Sequence, residues 1–476
     1  MRRIIKQVSV FILFAFFKTG FAQNIENTTN KTLSFEEYLG YVKQHHPIIK
    51  QAGLILSTGE ANLLKARGGF DPKVEVDYNR KKFKKTEYFD EFNTRFKIPV
   101  WYGIEFKANF EDNAGEFLNP NLNTPTNGLY SAGVSLSLAQ GFLINERMAS
   151  IKKARFFIKQ TKADRDLMVN NILFDASMAY FDWIETTNEL RIYNTYLDNA
   201  SIRLKAIERS VNLGEKAKID ITEARITLQS RQLSFEKAKL KKRKAELVVS
   251  NYLWFNNIPM EIEDNILPIV PEFSSIQSSL IINNSIDNIS DLVNTHPKLI
   301  SLDAKIDRLT IDKRLKKNKL LPKIDLQYNF LSPEIDQINT FNTSNYKTSL
   351  NFSFPLFLRK ERGDLKLAEL KLQEVNYERL SFTLYIKNKI SDVNSEMESL
   401  TVQNNLMRSI VSDYQTLVKA EERKFFLGES SLFLINSREQ KLIDAQLKEN
   451  KLLIKQLSIT AKLYNVLGVT EFININ

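Results

Sequence analysis

The chain has 476 residues, no cysteine and three histidines, and its 67 Lys and Arg outnumber 56 Asp and Glu for a formal charge of +11. This excludes a disulfide scaffold, thiolate metal sites, a cysteine nucleophile and a lipid anchor on an N-terminal cysteine. What remains is a modestly basic chain, long enough for two or three ordinary domains.

At the N-terminus Arg2, Arg3 and Lys6 precede the apolar run Val8–Phe17, and Gly20 and Ala22 supply the small residues of a cleavage site. That layout predicts a secretory signal peptide over 1–22 and a mature chain from Gln23. No later run reaches the ~20 apolar residues of a membrane-crossing helix. A helical stretch is expected from Ser34 to about Arg67, with His46-Pro47 inside it. Proline suits a first helical turn, so the histidine reads as structural rather than catalytic or metal-binding.

A strand follows. Val74, Val76 and Tyr78 alternate with Lys73, Glu75 and Asp77. Next comes the segment "FNTRFKIPVWYGIEFKANF", in which Phe92, Thr94, Phe96 and Ile98, then Ile104, Phe106, Ala108 and Phe110, alternate with charged or polar neighbours. Trp101, Tyr102 and Gly103 supply a turn. Two readings stand: an extra strand hairpin at about 88–112 that lengthens a sheet, or a loop outside it. A further strand sets Tyr130, Ala132, Val134, Leu136 and Leu138 against Ser131, Gly133, Ser135 and Ser137.

From Asn145 to about Ser210 runs a proline-free helical stretch that would span roughly 100 Å at ~1.5 Å per residue. It ends at Leu213-Gly214, a helix stop. A helix then turns back through Ile221, Ala224, Leu228, Phe235 and Ala238 at coiled-coil spacing. Its basic run Lys239–Lys244 reads as a solvated face; no nucleic-acid motif accompanies it. Residues 271–289, polar and rich in Ser and Asn, read as a linker.

The second half then repeats the first. His296-Pro297 and Pro322 stand 250 positions after His46-Pro47 and Pro72. Ile324, Leu326, Tyr328 and Phe330 alternate with Lys323, Asp325, Gln327 and Asn329; Leu350, Phe352 and Phe354 alternate with Asn351 and Ser353. A second long stretch, Arg359 to about Phe426, ends at Leu427-Gly428, 214 positions after its counterpart. The ordered echoes indicate a tandem duplication with one insertion in the first copy. The expected organisation is a signal peptide over 1–22, a first repeat over 23–270, a linker over 271–289 and a second repeat over 290–476. Four clear strands with one apolar face fit a soluble sandwich or a membrane barrel. A lipid-facing barrel needs closure, which four strands achieve only with further copies of the chain.

With these residues in view, the chain resembles the TolC family of outer membrane efflux proteins. The resemblance rests on the duplicated His-Pro, the proline before each repeat's first strand, "FPLF" at Phe354–Phe357, and the Leu-Gly turn followed by "IDITEA" at Ile219–Ala224. It implies a mixed α and β membrane protein: a duplicated strand hairpin plus long helical hairpin, a trimeric outer-membrane β-barrel with four strands per protomer, and a periplasmic α-helical barrel below it. The implied role is a passive exit duct of a tripartite efflux or type I secretion system. It works with a periplasmic adaptor, an inner-membrane pump and outer-membrane lipid, with no cofactor, metal or catalytic residue. The lipid face would carry Val74, Val76, Tyr78, Val134, Leu136, Leu138, Ile324, Leu326, Tyr328, Leu350, Phe352 and Phe354. Adaptor docking would use Leu213, Gly214, Leu427 and Gly428.

The periplasmic entrance departs from the family's acidic pattern. Asp220 is kept in the first repeat, but its counterpart is Leu434, followed by Ser437, with Phe433 beside it. Either these residues pack between helices or they form an apolar constriction. The alternative function is a secreted coiled-coil structural or adhesive protein, which leaves the strands ahead of each long helix unexplained.

Overall fold

The computed structural model describes residues 31–280 and 293–468. The expected signal peptide lies outside the described residues. Within the expected linker, Phe273–Leu280 is helical, and the part from 281 onward lies outside.

Strand β1 (Lys31–Leu33) leads into α1 (Phe35–His45), which opens on a capping box between Ser34 and Glu37. The single helix expected from Ser34 to Arg67 is two helices. The chain breaks at His46 (φ −65°, ψ 131°) and restarts as α2 (Pro47–Arg67). The ring of Pro47 disfavours helical geometry at the residue before it, so the break is written in the sequence. Three β-strands follow, β2 (Lys73–Phe83), β3 (Thr86–Pro99) and β4 (Ile104–Ala114), then β5 (Leu129–Ser137). The long helix α3 (Glu146–Asn212) descends and α4 (Lys218–Ser250) returns. Short strands β6 (Trp254–Phe255), β7 (Ile258–Pro259) and β8 (Ile266–Pro268) follow, then helix α5 (Phe273–Leu280). The second repeat is α6 (Pro297–Asn318), β9 (Lys323–Ser332), β10 (Tyr346–Ser353), α7 (Arg359–Phe426) and α8 (Leu432–Leu467).

The helices form four columns side by side. Helix α3 packs against α2 and α4 on one flank and against α6 and α8 on the other, and α7 packs against α6 and α8. Each short pair, α4 with α2 and α8 with α6, thus builds one column beside an unbroken helix of 67 or 68 residues. The two His-Pro pairs are the joints. His46 caps α2 by accepting from the Ile48 N–H at 3.2 Å, while its ring bonds the Asn251 backbone at the end of α4 and stacks on Tyr252. His296 caps α6 by accepting from the Lys298 N–H at 3.1 Å and bonds the Val466 backbone at the end of α8. Gly468, at φ +65°, ends α8 so close to this joint that a Cβ there would sit 2.7 Å from Pro297.

The main core lies beside the His46 joint. Trp183, Tyr180 and Phe181 of α3 meet Phe35 and Tyr38 of α1, all buried. The Tyr180 hydroxyl lies within hydrogen-bond distance of the Leu33 carbonyl and of both backbone groups of Ile269, tying α3 to the small parallel pair β1–β8.

Above the columns lies one antiparallel sheet of six strands, in the order β10-β9-β5-β4-β3-β2. The inserted segment forms β3 and β4, inside the sheet between β2 and β5. Tyr102 (φ 58°) and Gly103 (φ 65°) make the left-handed pair of its tight turn. At Gly133 of β5 there is no room for any side chain, since a Cβ would lie 2.0 Å from the Tyr328 carbonyl of β9.

Burial pushes the His296 pKa from 6.5 down to about 4. Between those values the folded chain holds fewer protons than the unfolded one. The stability this histidine contributes is therefore complete above pH 6.5 and lost as pH falls through 4. Purified protein is expected to unfold more readily at each step from pH 6.5 to 4, and His296→Asn, which keeps a capping side chain, to lose part of that slope. Identical acid profiles for the two proteins would rule the joint out as the cause.

Candidate functional sites on the sheet and at the helical tips

Because paired residues share a face, the ladders sort the sheet residue by residue. Val74 pairs Phe96, which pairs Ala108; Phe106 pairs Val134, which pairs Tyr328; Leu136 pairs Leu326, which pairs Leu350; Ile324 pairs Phe352. Val76 and Tyr78 lie on this same apolar face. Leu138 and Phe354 fall one residue past the ends of β5 and β10, so they sit at the sheet's lower margin rather than in a strand. Val74, Leu350 and Phe352 are each about two-thirds exposed, which for apolar side chains in one contiguous face marks a surface awaiting an apolar neighbour.

Aromatic rings gather toward both ends of the sheet. Toward the upper end Phe92, Phe110 and Tyr130 form one chain of contacts, and Tyr328, Phe330 and Tyr346 another. At the helix junction Phe70 packs on Trp101 at 5.0 Å and Tyr102 on Phe142 at 6.2 Å. Two aromatic lines bounding an apolar band are the layout of a membrane-facing barrel wall. The opposite face is polar and internally paired: Arg95 with Asp77 at 3.2 Å, Lys97 with Glu75, and Lys347 with Glu111 at 3.8 Å. The small residues of β5 on that face, Ser131, Gly133 and Ser135, let the Lys107 ammonium reach over them to donate to Gln327 at 3.2 Å.

At the far end of the columns, both Leu-Gly turns have the same geometry. Gly214 (φ 77°) and Gly428 (φ 80°) occupy the left-handed position that ends a helix, and the following Glu215 and Glu429 N–H groups donate back to Ser210 and Lys424. Leu213 and Leu427 are exposed beside them. The apolar run after Gly428 divides. Leu432 and Ile435 are buried between helices, while Phe433 is 69% and Leu434 41% exposed. Ser437 and Asp220 are half-buried on α8 and α4.

Sequence reasoning missed the polar cluster just above the tips, about 15 Å from Gly214 along α3. Glu439 of α8 is fully buried. It accepts from Arg203 of α3 at 2.9 Å and faces Arg231 of α4 at 3.5 Å. Arg203 also donates to Asn436 at 3.2 Å and lies 3.8 Å from Glu422 of α7. Three helices thus meet at one buried carboxylate, and Arg203 carries the link on to α7. Burial, then the Glu439 charge, pushes the nearby Tyr196 hydroxyl up to about 12. The signal was present in the heptads: Arg231 stands in line with Ala224, Ala238 and Ala245, all buried. An arginine in such a stripe requires an acid on the facing helix.

These features define a class, a sheet shaped for a bilayer set above a sheath of long helices. Comparison with known proteins agrees. The family model described as outer membrane efflux protein matches residues 288–469. It is 20% identical over 315 residues to OpmQ of Pseudomonas putida, a pyoverdine export outer membrane protein; the alignment covers 65% of this chain and 64% of that one. The fold matches the CmeC outer membrane channel of Campylobacter jejuni (TM-score 0.65, 13% identity, 91% of this chain and 86% of that one). It likewise matches CusC, solved in connection with transmembrane channel formation (TM-score 0.68, 13% identity, 91% of both chains).

Glu439→Gln leaves the buried Arg231 guanidinium without its acid and Arg203 with only the more distant, half-exposed Glu422. By analogy with other broken buried pairs it is expected to cost about 3–5 kcal/mol, read as earlier thermal unfolding of the helical part. An unchanged unfolding profile would show that the cluster holds nothing together.

Proposed function

We propose that three copies of this chain form a passive exit duct, joined through a periplasmic adaptor to an inner-membrane pump that supplies energy and selects cargo. The observation that carries the reading is the pair of unfinished flanks. One flank presents the free edge of β2, the other that of β10, with all eight β10 residues exposed. Below β2, helix α4 exposes Ile219, Ile226, Leu233, Leu240 and Leu247, seven residues apart, a coiled-coil seam with no partner among the described residues. Below β10, α7 exposes Leu370, Tyr377 and Leu384 at the same spacing. Placed flank to flank, successive copies would supply each seam with its partner and each strand edge with its ladder. The resemblance to the family sets the number at three.

On this reading the apolar face meets lipid. Leu136→Arg places a charge in mid-band, at a cost of roughly 2–4 kcal/mol, whereas Ser135→Arg points it at water. The first variant is expected to lose detergent-stable trimers from the outer membrane fraction and the second to keep them. Equal loss from both would contradict the face assignment, and a wild-type chain found outside that fraction would favour the secreted coiled-coil alternative.

The tips are proposed to dock the adaptor, and Phe433 and Leu434, with Asp220 and Ser437 nearby, to ring an apolar periplasmic entrance. Val at both Gly214 and Gly428 strains the left-handed turns without a steric clash. Export and adaptor cross-linking are expected to fall while trimers persist. Phe433→Ser is expected to raise leak conductance in planar bilayers. Undiminished cross-linking in the first variant, or unchanged leak in the second, would remove that role from the residues concerned.

A further inference from the structure

We propose that the barrel wall has eighteen strands, six from each of three copies, closed where β2 of one copy pairs with β10 of the next. This rests on the trimeric outer-membrane reading above and departs from the twelve strands that the family resemblance implies. The argument begins with where the insertion sits. Strands β3 and β4 are not appended to an edge. They lie between β2 and β5, with β3 paired to β2 from Lys73↔Lys97 to Phe83↔Thr86 and β4 paired to β5 from Ile104↔Leu136 to Glu111↔Leu129. A four-strand wall would require one of these ladders to break and β2 to leave the sheet or pair anew.

The order of strands also follows the order of the columns beneath. Helix α2 runs into β2, β5 into α3, α6 into β9 and β10 into α7, and the columns stand as α2, α3, α6, α7. The inserted hairpin fills the space above the α2–α3 groove. Its turn is seated there by Trp101 on Phe70, and by Gly103, where a Cβ would lie 2.8 Å from Ser137.

Widths decide between the two walls. Four helical columns at 8–10 Å spacing occupy roughly 32–40 Å of circumference. Six strands ~4.8 Å apart and tilted by ~40° occupy about 38 Å, whereas four occupy about 25 Å. The six-strand sheet continues its own helical layer without a step. The alternating strand directions leave β2 and β10 running opposite ways, so the joint between copies is antiparallel like every other pairing in the sheet. The inserted strands also carry the same division of faces as the rest, with Phe96 and Phe106 on the apolar side and Lys97 and Lys107 on the polar side. Since barrel diameter grows about linearly with strand number, the bore is about 1.5 times that of a twelve-stranded wall.

The chain has no cysteine, so introduced pairs report without background. Val76→Cys in β2 is combined in turn with Thr348→Cys, Leu350→Cys and Phe352→Cys in β10, which samples the register between copies, and the outer membranes are oxidised. At least one combination is expected to give a covalent ring of three chains. Cross-links from Ala108→Cys of β4 to β10, with none from β2, would overturn the proposal and leave the exit-duct reading intact. A polarity-sensitive maleimide gives a second measurement independent of cross-linking. At Phe96→Cys and Phe106→Cys it is expected to report hydrocarbon, and at Lys97→Cys and Lys107→Cys water. Water at all four sites, with hydrocarbon at Leu136→Cys, would place the hairpin outside the wall. Water at Leu136→Cys as well would overturn both this proposal and the membrane reading beneath it.

Discussion

The two His-Pro joints are where the architecture is made possible. A helix of 67 residues needs a neighbour of comparable length, and neither return helix, of 33 or 36 residues, supplies it alone. A second helix set end to end would bury the last carbonyls of one helix against the first N–H groups of the next, and unpaired buried backbone groups are costly. Each imidazole resolves the conflict by serving both ends at once: one nitrogen accepts from the helix above and the ring meets a backbone group of the helix below. Proline at the following position removes one N–H that would otherwise need a partner. Every column boundary, and therefore the placement of strands above and tips below, follows from these two joints.

The sheet and the tips show two ways of managing polarity in an extended molecule. On the sheet, alternation gathers most of the charge on one side, where Arg95, Lys97 and Lys107 find acids or amides on neighbouring strands, while Arg80 and Asp90 pair with each other on the opposite face. Near the tips, small residues bring the helices close, and charge is admitted to the interior only as the Glu439 cluster with both arginines hydrogen-bonded or paired. A hydrophobic substitute would hold helices together without fixing their rotation. A bidentate carboxylate between two guanidinium groups is directional, and it sits close to where the entrance is proposed.

Much of this was legible before folding. The Leu-Gly stops mark the helix ends to within about a residue or two, because glycine alone enters the left-handed turn without strain. The period-two alternation of β2, β5, β9 and β10 assigns faces that the ladders share. The inserted segment was ambiguous, since a hairpin with segregated faces reads the same whether it joins a sheet or stands outside one. The break at His46 was legible in Pro47, yet the periodicity on either side masked it. Of the Arg203–Glu439–Arg231 cluster only Arg231, in its stripe of alanines, was legible as needing an acid; its partners were not, because the members are 28 and 208 residues apart in sequence and Arg203 or Glu439 alone reads as a solvated helix face.

By itself the sequence determined the helix ends and which strand residues share a face, and it pointed to the duplication and the class of protein, all of which depend on contacts within a few residues or on repetition along the chain. Only the tertiary structure decided that α4 continues into α2 and α8 into α6, that the insertion lies in the middle of the sheet, and that a buried carboxylate joins three helices. Those outcomes turn on which distant surfaces meet. Residue pattern states only that a surface needs a partner, whereas packing, register and the pairing of every buried polar group select which one it receives.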